Sequence, residues 1–289
     1  MSADQITIPV KTGNSLLTLV MDNKSQNTMS SPLGKMPEGQ KGLLYHYILG
    51  IADNSLILGQ RMGELCGHGP SLETDIACTN ISLDLFGQVR SYFQYAAKIA
   101  NDGRTEDDIA MLRKENEYRN VLLSEQPNTD FAYTIGRQFL FDVYHYAFLT
   151  QLQKSTDLTL SAIASKSIKE VSYHKRFSSD WVRRLGDGTE ESQERMQNAI
   201  NDLWTYTDEL FHLVDSDKVM IEQGIGVDVT KLKEDYYNEV AQVLGEAALP
   251  VPDLKYFQKG GKKGVHTEHM GYLLADLQYM QRTYPNMEW

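Results

Sequence analysis

The sequence is poor in three features that would place it in a special class of protein. Its two cysteines are too few for a disulfide framework, so we expect Cys66 and Cys78 to be reduced packing residues. No stretch approaches the roughly 18 apolar residues of a membrane span. The first residues lack the basic and apolar parts of a secretion signal. We therefore expect a cytoplasmic protein.

Basic residues are also in short supply. The formal net charge is -11 at pH 7, which argues against a nucleic-acid-binding face, because phosphate binding needs a basic surface. Hydrophobic residues make up 41% of the 289 residues and charged residues 23%, as is typical of a globular protein with a sizeable core.

The pattern of apolar residues changes near residue 40. Residues 1–40 are mostly polar and form a predicted N-terminal arm, whereas in residues 41–289 apolar side chains recur at the helical period. Capping and stop signals divide this second part into eight predicted helices. These are residues 42–65, 71–101, 105–124, 130–154, 158–185, 189–213, 230–248 and 266–282. The predicted fold class is all-α, a long-helix bundle with additional C-terminal helices.

Long-helix bundles often hold a di-iron site, built from single carboxylates and Glu-x-x-His pairs on facing helices. Only two of the seven histidines have an acid three residues before them: His145 follows Asp142, and His212 follows Glu209. We expect the Glu209 pair to lie on a solvated helix end. Asp142 is surrounded by apolar residues and is predicted to face the bundle, where a buried acid needs a partner.

Several long and specific strings in the helical part resemble one known family, the C subunits (PaaC) of bacterial phenylacetyl-CoA epoxidases. The resemblance covers roughly residues 43–285. The strings that carry it include Asn80-Ile81-Ser82-Leu83-Asp84-Leu85-Phe86-Gly87-Gln88, Lys169-Glu170-Val171-Ser172-Tyr173-His174, and residues 56–61, 66–70, 75–77, 137–142, 180–182 and 184–192.

The resemblance implies a ferritin-like fold and a place in a multicomponent monooxygenase of aerobic phenylacetate degradation. In that system a related catalytic A subunit binds di-iron and epoxidises the aromatic ring of phenylacetyl-CoA. The oxygen- and NADPH-dependent complex also has a reductase with FAD and an iron-sulfur cluster. The implied partners are the A subunit and the other subunits of the complex, and no cofactor is expected in the present chain.

The A subunits supply metal ligands from motifs of the type Asp-Glu-x-Gly-His and Lys-Glu-Glu-x-x-His. In this sequence Leu85 and Gln88 stand at the glutamate and histidine positions of the first motif. Val171 replaces the glutamate of the second motif, where His174 remains. A leucine stands at the first-helix carboxylate and an aspartate keeps the remaining acidic position. The implied degenerate di-iron positions are Leu56, Leu85, Gln88, Asp142, Val171 and His174.

Ligand chemistry favours the same interpretation. Leucine and valine cannot coordinate a metal, and Asp142 with His174 cannot supply the roughly six ligands that two irons require. We expect these two residues to form a buried hydrogen bond, with Gln88 or a tyrosine beside them. Glu170 falls off the apolar stripe and is predicted to be a surface acid.

The glycine-rich stretch near residue 260 offers a second candidate site. Lys259, Lys262 and Lys263 could cradle a CoA phosphate, since ammonium groups and backbone amides both suit an anion. His266 is a further candidate for a contact with CoA or a partner. A solvated loop is the alternative.

The leading hypothesis is a non-catalytic structural subunit that stabilises the catalytic A subunit. One alternative is a CoA-ester binding module without an oxygenase role. The other is an active di-iron or di-manganese oxidase with a rearranged metal site, formed by Asp142, His145, His174, Glu209 and His212.

Overall fold

The computed structural model describes residues 38–285 and residue 287, and within these residues it contains helices and connecting segments but no strand. The predicted all-α class is confirmed. The predicted arm comprises residues 1–40, and its residues 1–37 lie outside the described part of the chain. The α-helices are α1 (Glu38–Gly63), α2 (Leu72–Ala100), α3 (Glu106–Met111), α4 (Leu122–Glu125), α5 (Phe131–Leu152), α6 (Leu158–Gly186), α7 (Glu190–Trp204), α8 (Asp215–Glu222), α9 (Lys233–Glu246) and α10 (Glu268–Thr283).

The four long helices α1, α2, α5 and α6 form a ferritin-like bundle. Helix α1 packs along α2, α5 packs along α6, and α2 joins the two pairs through its contact with α6. Helices α7 and α9 cover α5 and α6, whereas α10 packs on α3 and α4. The bundle therefore places residues from four helices around one buried centre.

Side-chain caps fix the starts of the long helices where the sequence predicts them. Ser71 accepts a hydrogen bond from the Thr74 amide at the start of α2, at 3.3 Å. Asp157 accepts from the amide of Leu160 at 3.0 Å at the start of α6. Such caps satisfy amides that have no partner inside the helix. Asp157 also accepts the Tyr95 hydroxyl at 2.5 Å, which ties α2 to α6.

The predicted helix over residues 105–124 is wrong. Helix α3 ends at Met111, and a short 3₁₀ turn and α4 follow it. The amide of Arg119 donates to the Asp53 carboxylate and the amide of Val121 donates to the Asn54 side chain, both at 2.8 Å. Because these amides bond to α1, they cannot take part in a continuous helix.

Two further boundaries differ from the prediction. The predicted helix over residues 189–213 ends at Trp204, and a 3₁₀ turn follows at Asp208–Phe211. The predicted helix over residues 230–248 begins with the 3₁₀ turn Val229–Leu232 before α9. Helix α8 was not predicted. Its apolar residues are too few in eight positions to display a period.

The two cysteines are both free, but only Cys78 is buried, so the packing role predicted for Cys66 is wrong. Among the described residues, no helix is at once long and apolar enough to cross a membrane.

A buried ion pair anchors the irregular segment to the bundle. The Arg113 guanidinium donates to both oxygens of Asp53, and the two side chains are almost completely buried. The ring of Tyr118 lies 4.1 Å from the guanidinium carbon and covers it. Burial opposes the charge on Arg113, but the Asp53 carboxylate outweighs it and raises the pKa of the guanidinium.

We predict that Asp53→Ala lowers the free energy of unfolding by about 3–5 kcal/mol, because it leaves the Arg113 charge buried without a partner. Denaturant unfolding at pH 7 measures this change. Asp102→Ala is the control, since Asp102 pairs with Arg104 on the surface and its removal should leave stability almost unchanged. Equal effects of the two substitutions would contradict the anchoring role of Asp53.

Candidate functional site

The six predicted degenerate positions all lie in the core of the four-helix bundle. Helices α1 and α5 each contribute one of these residues, and α2 and α6 contribute two each. None has more than 2% of its surface exposed. They are Leu56, Leu85, Gln88, Asp142, Val171 and His174. The burial of Asp142 agrees with the prediction that it faces the bundle.

The Asp142 carboxylate is held by neighbours on α5 and α6. Its Oδ1 accepts a hydrogen bond from Gln138 Nε2 at 2.7 Å, and its Oδ2 accepts from Ser178 Oγ at 2.8 Å. The predicted hydrogen bond between Asp142 and His174 is wrong, because Ser178 and Gln138 are the partners instead. Sequence analysis did not identify either partner, although Gln138 lies one helical turn before Asp142.

The His174 ring bonds to a different carboxylate. Its Nε2 lies 3.0 Å from Asp84 Oδ2, and the Asp84 side chain is 37% exposed. Sequence analysis missed Asp84, although it directly precedes the degenerate position Leu85. A second pair joins the same two helices, because Gln88 Nε2 donates to Glu170 Oε2 at 3.2 Å. Glu170, which was predicted to be a surface acid, is half-buried and takes part in this contact.

Burial dominates the electrostatics of the centre. It raises the pKa of Asp142 to about 7, although the nearby His174 and the hydrogen bonds from Ser178 and Gln138 act in the opposite direction. Burial, together with His174, lowers the pKa of His145 to about 3. At neutral pH the His145 ring is therefore uncharged, and Asp142 is close to its titration midpoint.

The side chains at this centre do not fit a di-iron site. Three of the degenerate positions carry aliphatic side chains, which cannot bind a metal. Nowhere in the described part of the chain do three His, Cys, Asp or Glu side chains gather in a group that could hold a metal ion. The remaining acid and histidine of the centre are each bonded to other protein groups.

Glu209 and His212 do not join this centre. Glu209 is buried, and its carboxylate accepts hydrogen bonds from the amides of Leu122 at 2.8 Å and Gly260 at 2.7 Å. His212 pairs with Asp208 at 3.1 Å. The predicted solvated helix end is therefore wrong for Glu209. Its role is to tie α4 and the glycine-rich stretch to the 3₁₀ turn at Asp208–Phe211.

The candidate CoA-binding residues fall into two groups. Lys262 Nζ donates to the carbonyls of Leu210 and His212, at 3.2 and 2.8 Å. His266 Nδ1 lies 2.9 Å from Glu125 Oε2, and the two side chains form a fully buried pair. The side chains of Lys262 and His266 are therefore engaged inside the protein. Lys259 and Lys263 are exposed.

Comparison with known proteins identifies the family. Residues 24–289 match the family described as phenylacetic acid catabolic protein. The chain belongs to this family. The match includes all four helices of the bundle and every degenerate position described above.

A curated protein is similar to this chain along almost its whole length. The chain is 49% identical over 243 residues to the C subunit of the 1,2-phenylacetyl-CoA epoxidase of Escherichia coli strain K12. The aligned part covers 84% of this chain and 98% of the relative. The resemblance inferred from the sequence strings is thereby confirmed.

We predict that Asp142→Asn changes how stability depends on pH. The folded-state pKa of Asp142 is raised above its ordinary value of 3.8. Between about pH 4 and 7 the folded state therefore keeps a proton on Asp142 that the unfolded state has already released. The stability contributed by this proton is fully present below pH 4 and is lost as the pH rises through 7. The asparagine variant lacks this loss.

Melting temperatures of the wild type and Asp142→Asn, measured from pH 5 to 8, test this sign. The variant should gain stability relative to the wild type as the pH rises. Asp142→Ala should lower stability by about 1–3 kcal/mol, because Ser178 and Gln138 lose their acceptor. The low pKa of His145 affects all three proteins alike and cancels in the comparison. If the stability difference between the wild type and Asp142→Asn does not vary from pH 5 to 8, Asp142 is ionised in the folded state throughout this range.

Proposed function

We propose that this chain is the non-catalytic structural subunit of a multicomponent phenylacetyl-CoA epoxidase, and that it stabilises the di-iron A subunit. The proposal rests on Leu85, Gln88 and Val171, which are buried and stand where the family resemblance implies metal ligands in the A subunits. The name of the E. coli relative, the C subunit of an epoxidase, supports membership in such a complex.

The possible metal ligands at the bundle centre support a role in which this subunit binds no metal. A di-iron centre needs about six nitrogen and oxygen ligands that point at a common place. Here Asp142 is bonded to Ser178 and Gln138, and His174 is bonded to Asp84. We accordingly assign the di-iron to the A subunit, and FAD and the iron-sulfur cluster to the reductase of the complex.

An exposed apolar stripe on α2 supports a protein partner. Leu72, Ile76 and Leu83 are 71%, 51% and 62% exposed, and their spacing puts them on one face of the helix. Tyr173, which follows the exposed residue Ser172 on the neighbouring helix α6, is also exposed. Clustered apolar side chains on a surface mark interaction sites. We propose that the A subunit docks on this face, which we call the α2 face.

The α2 face adjoins the buried polar residues Asp142, His174 and Gln88 at the bundle centre, which we call the polar remnant. Asp84, which bonds to His174, directly follows Leu83, and its side chain is only partly exposed. A docked partner would bury this carboxylate further and so strengthen its attraction to the His174 ring. The remnant of the metal site would thus help to hold the interface rather than a cofactor.

A contact with the CoA ester is a second candidate role, and fewer residues support it than the sequence predicted. Of the residues proposed for it, Lys259 and Lys263 are exposed, whereas Lys262 and His266 are engaged inside the fold. A contact between this loop and the CoA phosphates stays a prediction that rests on the two exposed lysines.

We predict that co-expression with the A subunit gives a complex that survives purification, and that the A subunit alone is less soluble and less active. Ile76→Asp combined with Leu83→Asp should abolish co-purification, because it places two charges in an apolar interface. The same pair should leave the melting temperature of the isolated chain almost unchanged, since both side chains are exposed.

Tyr272→Asp is the matched control, because Tyr272 is 76% exposed on α10 and lies outside the α2 face. It should leave the complex intact. If the double variant still co-purifies with the A subunit, the α2 face is not the interface. If the wild-type subunits do not associate at all, the structural role itself is contradicted.

A further inference from the structure

A cavity of about 470 Å³ lies beside the bundle. Its walls come from α1, α5, the start of α8, the segment around Val227 and the loop at Lys262 and Lys263. None of Asp142, His174 and Gln88 lines it. This volume is within the range of pockets that bind small molecules.

The floor of the cavity is aromatic. Phe141, Tyr144 and Phe148 follow one another on α5, and the rings of Tyr144 and Phe148 stack at 5.8 Å between centroids. Tyr47 and Ile51 of α1 complete the apolar wall. A floor of this kind favours a flat hydrophobic group, because aromatic rings gain from both area burial and ring-to-ring contact.

The rim of the cavity carries more positive than negative charge. Its cations are Arg119, Lys218, Lys262 and Lys263, and its acids are Asp215 and Asp217. This balance is opposite to that of the whole chain, whose net charge is -11.

The histidine at the rim responds to this local charge. Burial lowers the pKa of His46, and the positive charges of Arg119 and Arg113 lower it further. The rim therefore presents a positive field to a bound group.

Lys218 and Lys263 are both exposed at the rim, and they differ in how free they are to meet an anion. Lys218 pairs with Asp215 at 3.1 Å, and Lys262 Nζ donates to two backbone carbonyls. Lys263 is exposed and is among the residues that line the cavity. An ammonium group at the mouth can approach a carboxylate that enters the cavity.

A polar atom lies unsatisfied beside the aromatic floor. His145 lines the cavity and is 3% exposed, and its Nδ1 has no hydrogen-bond partner among the described residues. A buried polar atom without a partner costs about 1–3 kcal/mol. A neutral imidazole has one donor and one acceptor nitrogen, so a polar group on a ligand can pair with the ring.

We propose that this cavity binds a small aromatic carboxylate, with its ring on the Phe141, Tyr144 and Phe148 floor and its acid group toward Lys263. An inorganic anion would leave the aromatic floor uncovered, and an aromatic cation would meet the positive rim. The site does not depend on the proposed structural role, because it belongs to this chain alone.

Titration calorimetry of the full-length chain with phenylacetate, and with its neutral isostere phenylacetamide, tests the proposal. We expect one phenylacetate to bind per chain, and phenylacetamide to bind about tenfold more weakly or worse, because it lacks the charge that the rim attracts. Lys263→Gln should weaken phenylacetate binding by about threefold to fivefold and leave phenylacetamide unaffected. Equal affinity for the two ligands, or no binding of phenylacetate, would overturn the proposal.

A cavity-filling variant locates the site. Gly50 lines the cavity, and a Cβ atom built there meets nothing within 4 Å. Gly50→Leu should therefore fold, fill the space and weaken phenylacetate binding by about tenfold or more. Gly87→Leu is the matched control, because Gly87 is a helical glycine with equally open space but lies outside the cavity. Unchanged binding in Gly50→Leu would overturn the assignment.

Imidazole NMR signals give a readout that needs no variant to fold. Phenylacetate should shift the signals of His46 and His145, which line the cavity, and leave that of His68 in place. If binding shifts neither His46 nor His145, the ligand lies elsewhere and the proposal is wrong.

Discussion

A carboxyl group buried among apolar helices must be protonated or hydrogen-bonded, and Asp142 is where this requirement acts on the centre of the bundle. Ser178 and Gln138 provide the two hydrogen bonds, and burial keeps the pKa near 7. Because these partners lie on α5 and α6, the carboxyl joins the two helices that α7 and α9 cover. A position that the family resemblance implies for a metal ligand thus serves helix packing in this chain.

The same principle links the remaining polar groups to a partner surface. His174 is buried, but its partner Asp84 is partly exposed beside the α2 face. Gln88 and Glu170 form a second contact between the same helices. A protein that docks on the α2 face would exclude water from both pairs and so strengthen them. The buried centre and the proposed interface are therefore parts of one continuous structure.

Sequence predicted the bundle well, because capping residues such as Ser71 and Asp157 mark where long helices begin. It failed between residues 105 and 124, where the amide of Arg119 bonds to Asp53, 66 residues earlier. Local patterns contain no signal for such a contact. The pairing of Asp142 with His174 failed for a related reason. Helical spacing identifies the face on which a residue lies, but not the neighbour that its side chain reaches.

Anaerobic titration of the purified chain with Fe(II), followed by desalting and iron analysis, tests the account most directly. Because the bundle centre has too few metal ligands, we expect the wild type to retain far less than one iron per chain. We expect Asp142→Asn to retain as much iron per chain as the wild type. Retention of two irons per wild-type chain, with loss of that iron in Asp142→Asn, would contradict the interpretation of the bundle centre as a degenerate site.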